Sequence, residues 1–318
     1  MNWSRAAALA AGVAALVWVI SGVGLAAVAQ DVALAGWALP ATTAIHAVQL
    51  YLSALAWRRS LGGAGLSGAA IFRIRWIREG MNAMLPVAQI GGQVVGAQLL
   101  VQRGLAPRLA VAGTILDLTL EAASQLIFTL CGIVVLLATT HDHGWLAWVA
   151  GGLAATALSV AGFVTAQRLG ALRLVERGVA RMAATWPATA NWSMTGLHDT
   201  LMARQADVAA VGWAVACHTL SWAIGGLEVW VALHALGHGV GVVSALVIES
   251  LGMAARSAGF AVPGAVGIQE GGFVLVCGLF GVPAESAVAL SVLKRVREVL
   301  VGVPAVVLWQ VRKKTVLF

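Results

Sequence analysis

The stretch EGMNAMLPVAQIGGQVVGAQLLVQR (79–103) decides how this chain folds. Most of it is apolar enough for lipid, yet Pro86, the pair Gly91-Gly92 and the amides Asn82, Gln89, Gln93 and Gln98 interrupt it. Proline removes a helical hydrogen bond, and glycines weaken what remains. Irregular backbone at membrane depth survives only where protein or a water-filled cavity surrounds it. The segment therefore reads as a re-entrant, broken helix. A second such segment, 242–281, carries Pro263, Gly264, Gly267, Gly271 and Gly272 together with Glu249, Arg256 and Glu270.

Everything around these two segments is membrane-like. Of 318 residues, 60% are apolar and 10% charged, with a mean hydropathy of +0.89. A soluble domain carries roughly 25% charged residues, so a soluble globule, a disordered chain and a disulfide scaffold are all excluded. The cysteines (Cys131, Cys217, Cys277) stand singly in apolar runs and read as small buried hydrophobes. Long apolar runs near 6–29, 33–57, 109–138, 144–166, 208–236 and 285–311 are each long enough to cross ~30 Å of hydrocarbon. The first is too long for the core of a cleaved signal and reads as a transmembrane helix.

The placement of arginine orients these spans, because short cytoplasmic loops hold the excess Lys and Arg. Connection 58–78 has Arg58, Arg59, Arg73, Arg75 and Arg78. Segment 167–207 has Arg168, Arg173, Arg177, Arg181 and Arg204, and the C-terminus has Arg312-Lys313-Lys314. The intervening loops TTHDH (139–143) and GHGVG (237–241) have neither Lys nor Arg. Six spans plus two re-entrant segments, with both termini cytoplasmic, satisfy every loop. Within 167–186, arginines on one side and apolar residues on another make a cytoplasmic interfacial helix suited to an anionic leaflet. The net charge of +7 comes mainly from such arginines, so nucleic-acid binding is a poor explanation. Trp37, Trp57, Trp76, Trp145 and Trp309 lie near expected helix ends and read as interface anchors.

The chain also repeats itself. Pro86 stands 31 residues before Asp117 and 35 before Glu121, and Pro263 stands at the same distances before Lys294 and Glu298. The halves, about 1–140 and 141–318, each hold three spans and a re-entrant segment. Three spans is an odd number, so the second half is inverted relative to the first. Residues 1–318 form a single membrane domain with 167–207 as a cytoplasmic insertion.

Ionisable residues inside spans cost ~2.5–3.5 kcal/mol each and must find partners. Asp117, Glu121 and Gln125 share one helix face, and Lys294, Arg297 and Glu298 a matching one. The repeat sets Asp117 and Glu121 opposite Lys294 and Glu298 near its pseudo-two-fold axis. Two roles stay open: an ion-pair network locking the halves, or a polar site for a substrate head group. Asn82, Gln89 and Gln93 satisfy backbone freed around Pro86 or bind substrate, while Arg256 and Glu270 form a structural pair or a binding site. The pairs His141/His143 and His234/His238 lack a third ligand, so no metal is expected. No phosphate loop and no nucleophile–base constellation is present, so neither an ATPase nor an enzyme is expected, and no cofactor.

The segments WIREGMNAMLPVAQIGG (76–92), LDLTLE (116–121) and PGAVGIQEG (263–271) resemble the membrane region of the lysylphosphatidylglycerol synthase/flippase superfamily. Within it, the chain resembles the hopanoid-biosynthesis-associated inner-membrane proteins of bacteria. The resemblance implies a multi-pass protein of the bacterial inner membrane that moves a lipid between leaflets. It implies partners among membrane lipids, hopanoid or phospholipid, and among hopanoid-biosynthesis proteins. It marks Asn82, Pro86, Asp117, Glu121, Pro263, Gly264, Gly267 and Glu270 as functional positions. Ala265 departs from the pattern, standing where a second glycine is common. No aminoacyl-transferase domain precedes Phe318, so lysyl transfer is not implied. The leading expectation is a lipid transporter without its own ATPase, and the alternative is a membrane scaffold for hopanoid-biosynthesis enzymes.

Overall fold

The structure is a computed structural model that describes residues 25–63, 65–84, 91–139, 192–258 and 265–315, and scattered positions from 154 to 169. Every regular element among the described residues is helical: α1 Leu25–Ala35, a 3-10 turn Gly36–Ala38, α2 Leu39–Ser60, α3 Gly68–Met84, α4 Gly91–Val101, α5 Pro107–Thr139, α6 Leu197–Gln205, α7 Val208–Ala235, α8 Val242–Ala258, α9 Ile268–Gly278 and α10 Ala284–Thr315. Two of them, Pro107–Ala138 and Val208–Ala235, are long and apolar enough to cross a membrane by composition. α10 has the length, but Lys294, Arg295, Arg297 and Glu298 sit in its middle.

Sequence boundaries hold for α5, α7 and α10 and shift elsewhere. Among the described residues the first interruption comes at the 3-10 turn 36–38 and not at Gln30–Asp31, because Gly36 weakens the helix and Pro40 favours the first turn of a new one. The first broken segment begins at Gly68 and not at Glu79. Arg73, Arg75 and Arg78 therefore lie within a helix rather than in a connecting loop.

Both interrupted segments are helical hairpins. In the first, Gly92 and Gly96 of α4 lie against Arg78 of α3, and Gly92 also meets Asn82. In the second, Gly252 of α8 faces Phe273 of α9, and Gly272 faces Ala255. In each pair a later residue on one arm meets an earlier residue on the other, so the arms are antiparallel. α4 and α9 have 11 residues each, about 16 Å, and are too short to cross hydrocarbon alone. Their boundaries differ by 177 residues at both ends, as do the starts of α5 and α10.

The hairpins exchange partners. α3 packs on α10 and α8 packs on α5, while α2 and α7 cross antiparallel at the centre. Gln49 meets Glu228, Ser53 meets Ser221, and Arg59 stacks near Trp213. Small residues permit the close crossings, as in many membrane helix pairs. A methyl at Gly80 of α3 would fall 2.6 Å from Ala305 Cβ and 2.9 Å from Gly302 O of α10. Trp76 donates its indole N–H to Val301 O across the same crossing, at 2.9 Å. Trp57 is fully buried beneath the Arg78 guanidinium. Trp57 packs inside the bundle and is not an interface anchor, whereas Trp76 is half-buried at the α3–α10 crossing and Trp37 is 69% exposed. Cys217 and Cys277 are buried as expected, but Cys131 is exposed on α5.

Candidate functional site

A cavity of about 420 Å³ lies where the hairpins meet α2, α5, α7 and α10. Its walls carry two ion-pair groups. In the first, Arg75 and Arg78 of α3 stand one turn apart on a helix whose other buried positions are Ala70, Ile71, Ile74, Ile77, Gly80 and Met81. Asp117 Oδ2 of α5 accepts from Arg75 Nη1 at 2.8 Å and Arg78 Nη1 at 2.6 Å. Glu121, one turn further along, accepts from Arg75 Nη2 at 2.7 Å. His218 Nε2 of α7 lies 3.0 Å from Asp117 Oδ1. Asp117 is fully buried behind the cavity wall and fixes the two guanidinium groups that line it.

The second group is built from α7, α8 and α10. Lys294 Nζ donates to both oxygens of Glu249, at 2.9 and 3.1 Å, and lies 3.9 Å from Glu228. Glu228 Oε2 accepts from Gln49 Nε2 at 3.2 Å, joining this group to α2. Arg297 Nε is 3.0 Å from Glu228 Oε1, but its N–H is not aligned for a hydrogen bond. Arg256 binds Glu298 and also donates to Gln269 Oε1, tying α8 to α9 and α10. Glu270 accepts from Arg295 Nε at 2.6 Å and, through its other oxygen, from Gly267 N–H at the start of α9.

Several expected relations change. Asp117 and Glu121 pair with Arg75, Arg78 and His218, not with Lys294 and Arg297. Lys294 is neutralised by Glu249, and Glu298 by Arg256. Arg256 and Glu270 do not pair with each other. The reason is local: each hairpin supplies the counter-charge for the long helix it contacts, so balance is reached within hydrogen-bond distance before the two groups meet across the cavity. Glu121, Arg256, Lys294, Arg297, Glu298, Asn82 and Gln93 all line the cavity, whereas Glu270 and Gly267 organise the α9 N-terminus beside it. Asn82 Oδ1 accepts from Gly92 N–H at 2.9 Å, the backbone-satisfying one of the two roles left open for it. Gln125 also lines the cavity and clamps α5 to α8 through Met253 O and Ser257. Pro86, Gln89, Pro263 and Gly264 lie outside the described residues, as do most of 6–29, most of 144–166 and most of the insertion 167–207.

Sequence reasoning missed Glu228, His46, Gln49, Ser53, Ser221 and His218, which complete the walls. Glu228 and His218 are single polar residues in the apolar run of α7, and that rarity was the available signal. Charge placement alone puts Arg75 and Arg78 in a loop, although Ile71, Ile74 and Ile77 at helical spacing mark a buried face. Some polar atoms along the walls have no hydrogen-bond partner among the described residues, including His46 Nδ1, Gln93 Oε1 and Trp222 Nε1. Asp117, Glu121 and His218 offer ligand atoms within 4.8 Å of one another, as a divalent cation would need. Arg75 and Arg78 already occupy the carboxylate oxygens and balance their charge, so this trio serves ion pairing. The chemistry on offer is recognition of a polar group by paired charges and amides in an apolar surround.

Residues 5–305 match the family model described as the lysylphosphatidylglycerol synthase TM region. No curated protein and no solved structure matches the chain. With the match covering nearly the whole sequence, the chain belongs to the lysylphosphatidylglycerol synthase transmembrane-region family and is a multi-pass membrane protein concerned with lipid handling.

Proposed function

We propose that this protein is a lipid transporter without its own ATPase, and that the cavity between the hairpins receives the polar head of a lipid whose chains stay in the bilayer. The observation that carries this reading is the cavity itself, with charges from both hairpins on its walls at the crossing of α2 and α7. Charges at membrane depth are costly and mark substrate paths. Transporters place their sites where broken helices meet at a repeat interface. The reading includes six spans, with the two hairpins entering and leaving on one side, in an inverted repeat. The 177-residue register of α4 with α9, and the reciprocal packing of α3 on α10 and α8 on α5, support it. Both termini and the 167–207 insertion lie in the cytoplasm, and the membrane is the bacterial inner membrane. Arg58, Arg59, Arg103, Arg108 and Arg204 cluster around the α2, α4 and α6 C-termini and the α5 N-terminus, as the positive-inside rule requires of a cytoplasmic end.

The cargo is a hopanoid or a phospholipid. A hopanoid polar group binds through hydroxyls and would leave the wall charges structural, so this lining favours a charged head. Reconstitution into liposomes with a leaflet-reporting assay tests the proposal: the wild type should move at least one lipid of a panel that includes hopanoids. No movement of any panel member refutes transport and leaves a scaffold role.

A further inference from the structure

We propose that the corner formed by the C-termini of α2 and α6 and the N-terminus of α7 holds an anionic phospholipid of the cytoplasmic leaflet, with Arg59 and Arg204 on its phosphate and Arg58 beside them. Ala56 of α2, Leu201 of α6 and Ala214 of α7 belong to one buried core. Arg59 and Arg204 each stand one turn beyond that core, and Trp213 adjoins it on α7. The Arg59 guanidinium lies 5.7 Å from the centre of the Trp213 ring. Gly62 N–H donates to Arg59 O and Gly63 N–H to Arg58 O, both at 2.9 Å, so the chain leaves α2 in a tight turn. Gly62 has a left-handed φ of +72°, and a methyl there would run into Arg204 Nη1. The Arg204 guanidinium therefore rests on the backbone of the turn that Arg58 and Arg59 begin. The arginines of the central cavity all have a carboxylate partner: Arg75, Arg78, Arg256 and Arg297. Among the described residues, Arg58, Arg59 and Arg204 have none, and Arg58 Nε is buried without a hydrogen bond. Asp207, the nearest acid in sequence to Arg204, caps α7 by accepting from Ala210 N–H. Three guanidinium groups against one capping carboxylate leave the corner positive, and their planar forks match phosphate oxygens. Trp213 and Val208 identify the source of that phosphate. They are 52% and 79% exposed at the start of a helix long and apolar enough to cross a membrane. An exposed tryptophan at the end of a span sits at head-group level, where the anions within reach belong to lipids. Arg58, Arg59, Arg204 and Trp213 do not line the central cavity, so this lipid is a resident that ties α6 to α2 and α7, whatever the cavity carries.

Native mass spectrometry on the full-length protein tests this with phosphatidylglycerol and phosphatidylethanolamine of identical chains. The wild type should retain phosphatidylglycerol about tenfold or more over phosphatidylethanolamine. Arg59→Gln and Arg204→Gln should each weaken phosphatidylglycerol binding about fivefold, and the double variant should abolish the preference. Gly62→Ala changes no charge but displaces the Arg204 guanidinium, so it should weaken the lipid as Arg204→Gln does. Arg103→Gln removes the same charge from the turn between α4 and α5 and should leave the preference within about twofold of wild type. An equal loss in Arg103→Gln would mean that the general positive field of this end attracts the lipid, and the assigned corner would be wrong. A preference that survives the double variant places the lipid elsewhere, the central cavity included, and overturns the proposal. Inorganic phosphate should fail to displace the lipid; displacement would make the corner a site for soluble anions. Should a variant fail to fold, equal wild-type retention of the two lipids is still decisive against the proposal. The leaflet-reporting assay is separate: transport without this preference leaves the transport reading standing, and the preference without transport leaves the resident lipid standing.

Discussion

Replacing Asp117 by Asn isolates the energetic centre of the first hairpin. One oxygen of Asp117 takes hydrogen bonds from two guanidinium groups at 2.8 and 2.6 Å, and the other faces His218 at 3.0 Å. Arg75, Arg78 and Asp117 are all at most 2% exposed, so water cannot replace the lost charge. The Asn amide would also set N–H donors against N–H donors, with Glu121 and the more distant, partly exposed Glu79 left to balance two arginines. Removing one partner of a buried pair costs about 3–5 kcal/mol. At about 1.4 kcal/mol per tenfold, that is two to nearly four powers of ten in the folding equilibrium. Thermal unfolding of detergent-purified protein, with wild type and variant measured side by side, reads this directly. The double variant Arg78→Met/Asp117→Leu leaves Arg75 paired with Glu121 and exchanges a buried pair for apolar packing, so it should recover most of the loss. A single variant within about 1 kcal/mol of wild type, or a double variant less stable than the single, would refute the assigned pairing.

The second ion-pair group answers to the same physics: Lys294→Met strands both oxygens of Glu249 and should lower stability by about 3–5 kcal/mol in the same assay, with Glu249→Leu added to the background restoring much of it. Gly80→Ala places a methyl 2.6 Å from Ala305 Cβ and 2.9 Å from Gly302 O and should cost about 1–3 kcal/mol through overpacking of α3 on α10, only partly relieved by Ala305→Gly because the backbone contact remains; an unchanged melting temperature would mean the crossing is looser than described. Ala265 has a left-handed φ of +47° just before α9, a conformation that costs a non-glycine residue about 1–2 kcal/mol, so Ala265→Gly should raise stability by up to about 1 kcal/mol; a lower melting temperature counts against the turn geometry.

The broken segments were legible because Pro86, Pro263 and their glycines are backbone facts that any environment must respect. The described helices on either side of each, α3 with α4 and α8 with α9, pack as antiparallel arms. The positions of Asp117, Glu121, Lys294, Arg297 and Glu298 on inner helix faces were equally legible, since helical spacing and the cost of charge in lipid leave little choice. Their partners were not. Pairing depends on which helix a hairpin touches, and nothing in the spacing of Arg75 and Arg78 separates a loop arginine from one aimed at Asp117. The rule that assigns arginines to cytoplasmic loops drew both into connection 58–78, although Ile71, Ile74 and Ile77 mark the face they share. Glu228 and His218 were hidden by the apolarity of α7, whose average obscures single polar residues. Trp57 shows the same limit: closeness to a helix end favoured an interface anchor, but stacking under Arg78 buried it.

Photolabelling of the native protein in bilayers tests the central claim most directly, because it asks where the lipid head goes. One lipid carries a diazirine on its head group, and a second carries it near the end of an acyl chain. The account predicts that the head-group probe labels peptides of α3, α8 and α10 that line the cavity, including those holding Glu79, Arg256 and Arg297. The chain probe should label outward apolar positions such as Val134 and Leu275, which are 63% and 75% exposed. Head-group label confined to the outer ends of the helices, or chain label inside the cavity, would contradict it.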